Sequence, residues 1–169
     1  MTVDSFKFLP RLIASFYQTT DIQPEYPIPW TPLSRRLSEY KFGLVTSAGL
    51  YHKGVQPPFD LQKEQNEPTW GDPGYRILPT NIRQEEVGVS HLHVNTSGIE
   101  EDVNIVLPIH RFQELVETGY IGGLAHHAYS FMGFQGFPPD ASIWQNETGP
   151  QVAERLKAEG VDCVFMTPS

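Results

Sequence analysis

Residues 150–169 read PQVAERLKAEGVDCVFMTPS, a helix running straight into a buried strand, and that order decides the fold. Pro150 stands where a first-turn proline is tolerated, because its missing N–H is one of the donors that a helix start leaves unpaired anyway. Val152, Ala153 and Leu156 then share one face at helical spacing, and Gly160 ends the helix. Residues 161–166, apolar and β-prone apart from Asp162, predict a strand. Helix leading directly into strand is the rhythm of βαβ units, whose sheets are mostly parallel.

The same grammar appears upstream. Pro108 opens a second helix, Ile109, Phe112, Leu115 and Val116 make its apolar face, and Gly119 closes it. Residues 128–134 supply a strand between the two helices. Residues 42–46 predict a first core strand that ends at Ser47-Ala48-Gly49, where a sharp loop becomes possible. Residues 75–78 and 87–94 predict two further strands, the second passing through Ser90-His91-Leu92-His93. Between them, residues 56–74 hold four prolines and two glycines with no clear period, which predicts a long surface loop. The expected fold class is α/β, a mostly parallel sheet with flanking helices of the flavodoxin- or Rossmann-like kind. Chemistry in such sheets gathers at the carboxyl ends of the strands.

The N-terminal part reads differently. Leu9, Leu12, Ile13, Phe16 and Tyr17 recur at spacings of three and four, giving an apolar stripe on a helix over residues 5–18. Prolines at 24, 27, 29 and 32 then force an extended tether. The expected organisation is a helix and proline-rich tether over 1–30 and an α/β domain over 31–169.

Composition excludes several partners. With 12 Lys+Arg against 20 Asp+Glu the formal charge is −8, so no basic face awaits nucleic acid or anionic lipid. The longest apolar runs, such as 103–109, are far too short to cross about 30 Å of hydrocarbon. The first residues lack the layout of a secretory signal. Cys163 is the single cysteine and forms no internal disulfide, so the expected compartment is the cytoplasm.

Several constellations can carry chemistry. His91 and His93, two apart in an expected strand, point to one face about 6–7 Å apart. That pair can ligate a metal, with Asp102 or His110 as a further ligand only if the chain folds back. It can equally be structural, one ring bonded to the Glu100-Glu101-Asp102 loop and the other satisfied in the core. A third reading makes the two rings proton-transfer or carboxylate-binding groups. The adjacent His126 and His127 face opposite ways on a strand and are expected at the surface. Ser47-Ala48-Gly49 can lend amides to an anion or serve as a plain turn. Cys163 is expected as a buried, inert small hydrophobe, and Trp70 to anchor a turn, or fold as a lid, through Gly74.

Taken together, Thr46-Ser47-Ala48-Gly49, Ser90-His91-Leu92-His93-Val94-Asn95, Glu101-Asp102-Val103-Asn104, Leu107-Pro108-Ile109 and Tyr129-Ser130-Phe131-Met132-Gly133 resemble the glycine/sarcosine/betaine and D-proline reductase selenoprotein family. The order and spacing of these motifs match as well as the words. The stretch from Leu156 through Thr167 is especially similar to the D-proline reductase subunit.

The resemblance implies a reductase that cleaves a C–N bond alpha to a carbonyl in an amino acid or related amine. It places a selenocysteine or cysteine nucleophile directly after Ser169, in the loop that also holds Thr167 and Pro168. A pyruvoyl group on a partner subunit, a thiol donor protein and a small amino-acid or amine substrate complete the implied system. His91, His93, Asp102 and Asn104 would stand near the substrate, with Ser47, Ala48 and Gly49 beside them. The chain itself is expected to bind no cofactor, to be incomplete at its C-terminus, to lack reductase activity alone, and to be a possible oligomer. The competing expectations are a metal-binding or regulatory domain using His91 and His93, and a non-catalytic scaffold held through the N-terminal helix and tether.

Overall fold

The computed structural model describes residues 30–168 together with Pro10, Arg11, Ala14, Ser15 and Pro27. The helix expected over 5–18 and most of the proline-rich tether lie outside the described residues. The chain divides into two units, 1–34 and 35–169, and every strand among the described residues belongs to the second.

The strands are β1 (Lys41–Thr46), β2 (Leu50–His52), β3 (Tyr75–Pro79), β4 (Val87–Val89), β5 (Gly123–Leu124), β6 (His127–Phe131) and β7 (Cys163–Thr167). Among the described residues of the second unit, four α-helices punctuate them: α1 (Leu61–Asn66), α2 (Ser97–Glu101), α3 (Ile109–Glu117) and α4 (Gly149–Ala158). β1 lies at the centre of the main sheet. Along one edge it pairs in parallel first with β5 and then with β6, and along the other with β7, from Phe42 opposite Cys163 to Thr46 opposite Thr167. β3 adds to β6 antiparallel, while β2 and β4 form a separate two-stranded ribbon. The mixed α/β architecture with a mostly parallel sheet is the one expected.

Alternation along β1 sends its residues to two cores. Leu44 packs with Ile109, Phe112, Leu107 and Val103 against α3, whereas Val45 packs with Tyr129, Val152 and Leu156 against α4. The helices therefore cover opposite faces, and both begin and end as their prolines and glycines dictate: Gly119 and Gly160 follow α3 and α4 at φ of 70° and 72°. Gly43 shows how closely α4 approaches, since a Cβ there would stand 2.6 Å from Leu156 Cδ2.

Four expectations are corrected. The strand expected over 87–94 stops at Val89, because its partner β2 is only three residues long, and Leu92 to Val94 form bends. The segment 56–74 is not a featureless loop. It contains α1, capped by Asp60 accepting from Lys63 N at 2.9 Å, and it buries Phe59 and Glu64. Arg76 fastens it, with its guanidinium 4.0 Å over the Phe59 ring and its Nε donating to Pro57 O. The strand expected over 128–134 ends at Phe131. Cys163 is only half-buried, because β7 forms an edge among the described residues and leaves Val164, Phe165 and Met166 exposed, Met166 at 69%.

Candidate functional site

At the carboxyl ends of β1, β6 and β7 the chain makes three reversals that hold one another. Ser47 N donates to Thr167 O, Ala48 N to Thr46 Oγ1, and Gly49 N to Phe131 O. The amides of the 47–49 loop are thus engaged within the fold, so turn chemistry, not anion binding, accounts for it. Gly49 takes φ of 67° because Ser90 N must reach its carbonyl, at 2.8 Å, and a Cβ would meet Ser90 O at 2.2 Å. Through that contact the loop fixes the start of the histidine segment. Ser130, fully buried, accepts from Leu50 N at 2.7 Å and ties the ribbon to the sheet.

His91 is buried, and its Nδ1 accepts from the His93 backbone N–H at 3.2 Å. An accepting Nδ1 places the proton of the neutral ring on Nε2. That Nε2 is buried with no hydrogen-bond partner among the described residues. Burial, with the nearby His93 adding to it, pulls the His91 pKa below the ordinary imidazole value, which favours the neutral ring. The His93 ring stands edge-on to His91, centroids 6.1 Å apart, and rests 4.4 Å from the Phe134 ring. The spacing expected of a strand is reached by bends instead.

The acid partner is a residue the sequence did not single out. His93 Nε2 lies 3.0 Å from Glu64 Oε1, with the Glu64 side chain 2% exposed and that of His93 51%. The two atoms are in close contact, but no hydrogen bond is aligned on Oε1. Burial holds the Glu64 carboxyl above its ordinary range; His93 opposes the shift and the Asp72 carboxylate adds to it. Neither histidine bonds the 100–102 loop as expected.

Asp102 and Asn104 belong to a different network. Asp102 Oδ1 accepts from Asn104 N and Nδ2, Asn104 Oδ1 accepts from His110 N, and His110 Nε2 meets Ile82 O at 3.1 Å. These contacts order the turn before α3 and lower the Asp102 pKa, chiefly through the Asn104 backbone N–H. The turn meets the carboxyl-end cluster through Val106 O, which accepts from Thr167 Oγ1. Among the described residues no three His, Cys, Asp or Glu side chains stand together as metal ligands. His126 and His127 are exposed, with His127 Nδ1 2.8 Å from Glu159 Oε1.

A cavity of about 450 Å³ opens on the α4 side of the same strand ends, bounded by Thr46, Ser47, Phe131, Trp144, Thr167 and Pro168. Trp144 lies in one turn of π-helix (Trp144–Thr148) before α4, and its buried Nε1 has no partner among the described residues. Its ring is 5.4 Å from Phe131. The Trp70 segment is clamped from beneath: Gln135 Nε2 donates to Asp72 O at 2.8 Å, Gly71 lies against the Gln135 backbone, and Lys63 Nζ sits 4.2 Å over the Trp70 ring.

Among the described residues no helix is long and apolar enough to cross a membrane. No solved structure matches the chain significantly. Over 141 residues it is 33% identical to the D-proline reductase subunit gamma of Acetoanaerobium sticklandii, covering 83% of this chain and 53% of that protein. Over 140 residues it is 26% identical to the glycine reductase complex component B subunit gamma of Carboxydothermus hydrogenoformans, covering 83% of this chain and 30% of that protein. The chain thus spans about half the length of the first relative and less of the second. The family model of glycine/sarcosine/betaine reductase selenoprotein B matches residues 9–169. The chain belongs to that family.

Proposed function

We propose that this chain is the part of a reductase subunit that builds the substrate-facing carboxyl end of its sheet, in an enzyme that cleaves a C–N bond alpha to a carbonyl in an amino acid or related amine. The observation that carries the reading is the family match over residues 9–169. In support, the family's motif residues Thr46 to Gly49, Ser90 and Thr167 converge at one end of the sheet, where α/β folds take their ligands, and His91 follows Ser90 directly.

The nucleophile in this reading is a selenocysteine or cysteine directly after Ser169, at the rim of the cavity by Thr167 and Pro168. It supplies a soft anion for attack at carbon, and a dithiol donor returns it to the reduced state. The cavity suits a small substrate in volume, and its buried, unpartnered Trp144 N–H is a donor in want of an acceptor oxygen. His91 and His93 are the proton-transfer or carboxylate-binding groups. Asp102 and Asn104 act at one remove, by ordering the turn whose Val106 carbonyl holds Thr167. A pyruvoyl-containing subunit and a thiol donor protein are the proposed partners, and the cytoplasm the proposed compartment.

The test is the reading frame beyond codon 169, expressed in a selenium-equipped host and combined with the pyruvoyl subunit. We expect radioselenium or a thiol probe to label the product, and D-proline or glycine to be consumed with dithiothreitol as reductant. An ordinary stop with no downstream thiol would remove the reading.

A further inference from the structure

Among the described residues, Glu64 is the one acidic side chain in the fold's buried set. It comes from α1, a six-residue helix in the segment that also buries Phe59. A carboxylate withdrawn from water is unfavourable unless a partner repays the desolvation. Here the partner is the Nε2 edge of His93, 3.0 Å away.

The rest of the His93 environment fixes the ring from other sides. Its backbone N–H is held on His91 Nδ1, its face lies 4.4 Å from Phe134, and the edge of His91 closes a further side. With Nε2 turned to Glu64, Nδ1 is the ring nitrogen left for solvent or a ligand, on a side chain that is half exposed. A carboxylate 3.0 Å from Nε2 favours a proton on that nitrogen by charge attraction, without an aligned hydrogen bond, and leaves the other ring nitrogen for proton transfer.

We infer that Glu64 is a positioning residue: it orients His93 so that Nδ1 exchanges a proton with the amine or carboxyl group of a bound amino acid or related amine. This rests on the function proposed above and adds to it a residue and an atom. In the step, the proton leaves Nδ1 for the ligand's nitrogen or oxygen. The ring becomes neutral and keeps its remaining proton on Nε2, facing Glu64 Oε1. His91 supports the device independently, because its tautomer is set by the His93 amide and needs no carboxylate.

Two measurements test this, and the first needs no enzyme activity. Two-bond proton–nitrogen correlation spectra of the histidine rings in the 169-residue chain, assigned with His93→Gln, should show neutral His93 protonated mainly on Nε2. Glu64→Met should convert it to a mixture or to the Nδ1-protonated form, while Glu64→Gln, which keeps an acceptor oxygen, should restore the Nε2 form. The His91 tautomer and the His127 signals should stay put in all three. An Nδ1-protonated His93 in the unaltered chain overturns the inference even if Glu64→Met does not fold. The second measurement uses the reconstituted complex, where Glu64→Met should lower kcat about tenfold with KM within about twofold, and Glu64→Gln should recover most of it. Unchanged kcat in Glu64→Met overturns the proton-transfer role. Absence of turnover in the unaltered complex counts against the reductase reading alone, since the tautomer of His93 still decides the role of Glu64.

Discussion

Two histidine pairs meet a glutamate in this fold, one at the start of β6 and one beyond its end, and the pKa values of the two glutamates are shifted in opposite directions. Burial pushes Glu159 up, yet hydrogen bonds from the His127 ring and the His126 backbone N–H, the latter at 2.5 Å, outweigh it and leave its pKa lowered. Glu64 has only His93 in contact, burial prevails, and its pKa is raised. A carboxylate satisfied by a backbone amide ties the end of α4 to the start of β6 and is architecture. One kept out of water against a half-exposed imidazole, beside a second imidazole with an orphaned nitrogen, is a place where the fold accepts unfavourable electrostatics, as the function proposed above requires.

The glycine next to each pair gives the largest test. Gly49→Ala must place a Cβ 2.2 Å from Ser90 O at φ of 67°, and should cost more than about 3 kcal/mol in urea unfolding, displacing the His91 segment with it. Gly160→Ala has the same backbone strain, at φ of 72°, but open space around it, and should cost about 1 kcal/mol. Equal losses would erase the distinction between the two ends. In the reconstituted reductase, His93→Ala should reduce turnover roughly 100-fold, whereas His127→Ala should stay within about twofold.

The smaller effects lie in the pH dependence, and their signs differ. Glu159 has a folded pKa below 4.5, so its contribution is present above pH 4.5 and is lost as pH falls through the folded value. Glu159→Gln should therefore cost about 1 kcal/mol at pH 7 and progressively less in acid. Glu64 has a folded pKa above 4.5, so the stability it contributes is fully present below pH 4.5 and is lost as pH rises through the folded value. Glu64→Gln should match the unaltered chain near pH 4 and become the more stable of the two towards neutrality. Denaturant midpoints collected from pH 4 to 8 would show the two difference curves diverging, or would show them parallel and the contrast mistaken.

Much of the scaffold was legible because its signals are local. Pro108 with Gly119 and Pro150 with Gly160 bracket α3 and α4, and β1 and β7 are apolar runs whose residues need no distant context. The site was legible in part: His91 and His93 stood out as a pair, and Ser47 to Gly49 as a turn. Glu64 did not, because LQKEQN carries no apolar stripe and acidic residues default to solvent. Its burial follows from Arg76 clamping Phe59 and Pro57, contacts some twenty residues away in sequence. The bend at 92–94 was hidden for a similar reason, since the length of β4 is set by β2, not by its own alternation. Trp144 had no local signature, as its place beside Phe131 depends on the whole of β6 and α4 being docked.

The central strand is also the first one made. β1 is finished at residue 46, but its neighbours are residues 123–130 on one edge and 163–167 on the other. Emerging from a ribosome at about 5–20 residues per second, it waits several seconds for either side to be covered. Closure of the sheet is thereby deferred until residue 167 has been made and is governed by long loop closures, which predicts a slow, chaperone-sensitive maturation for this domain.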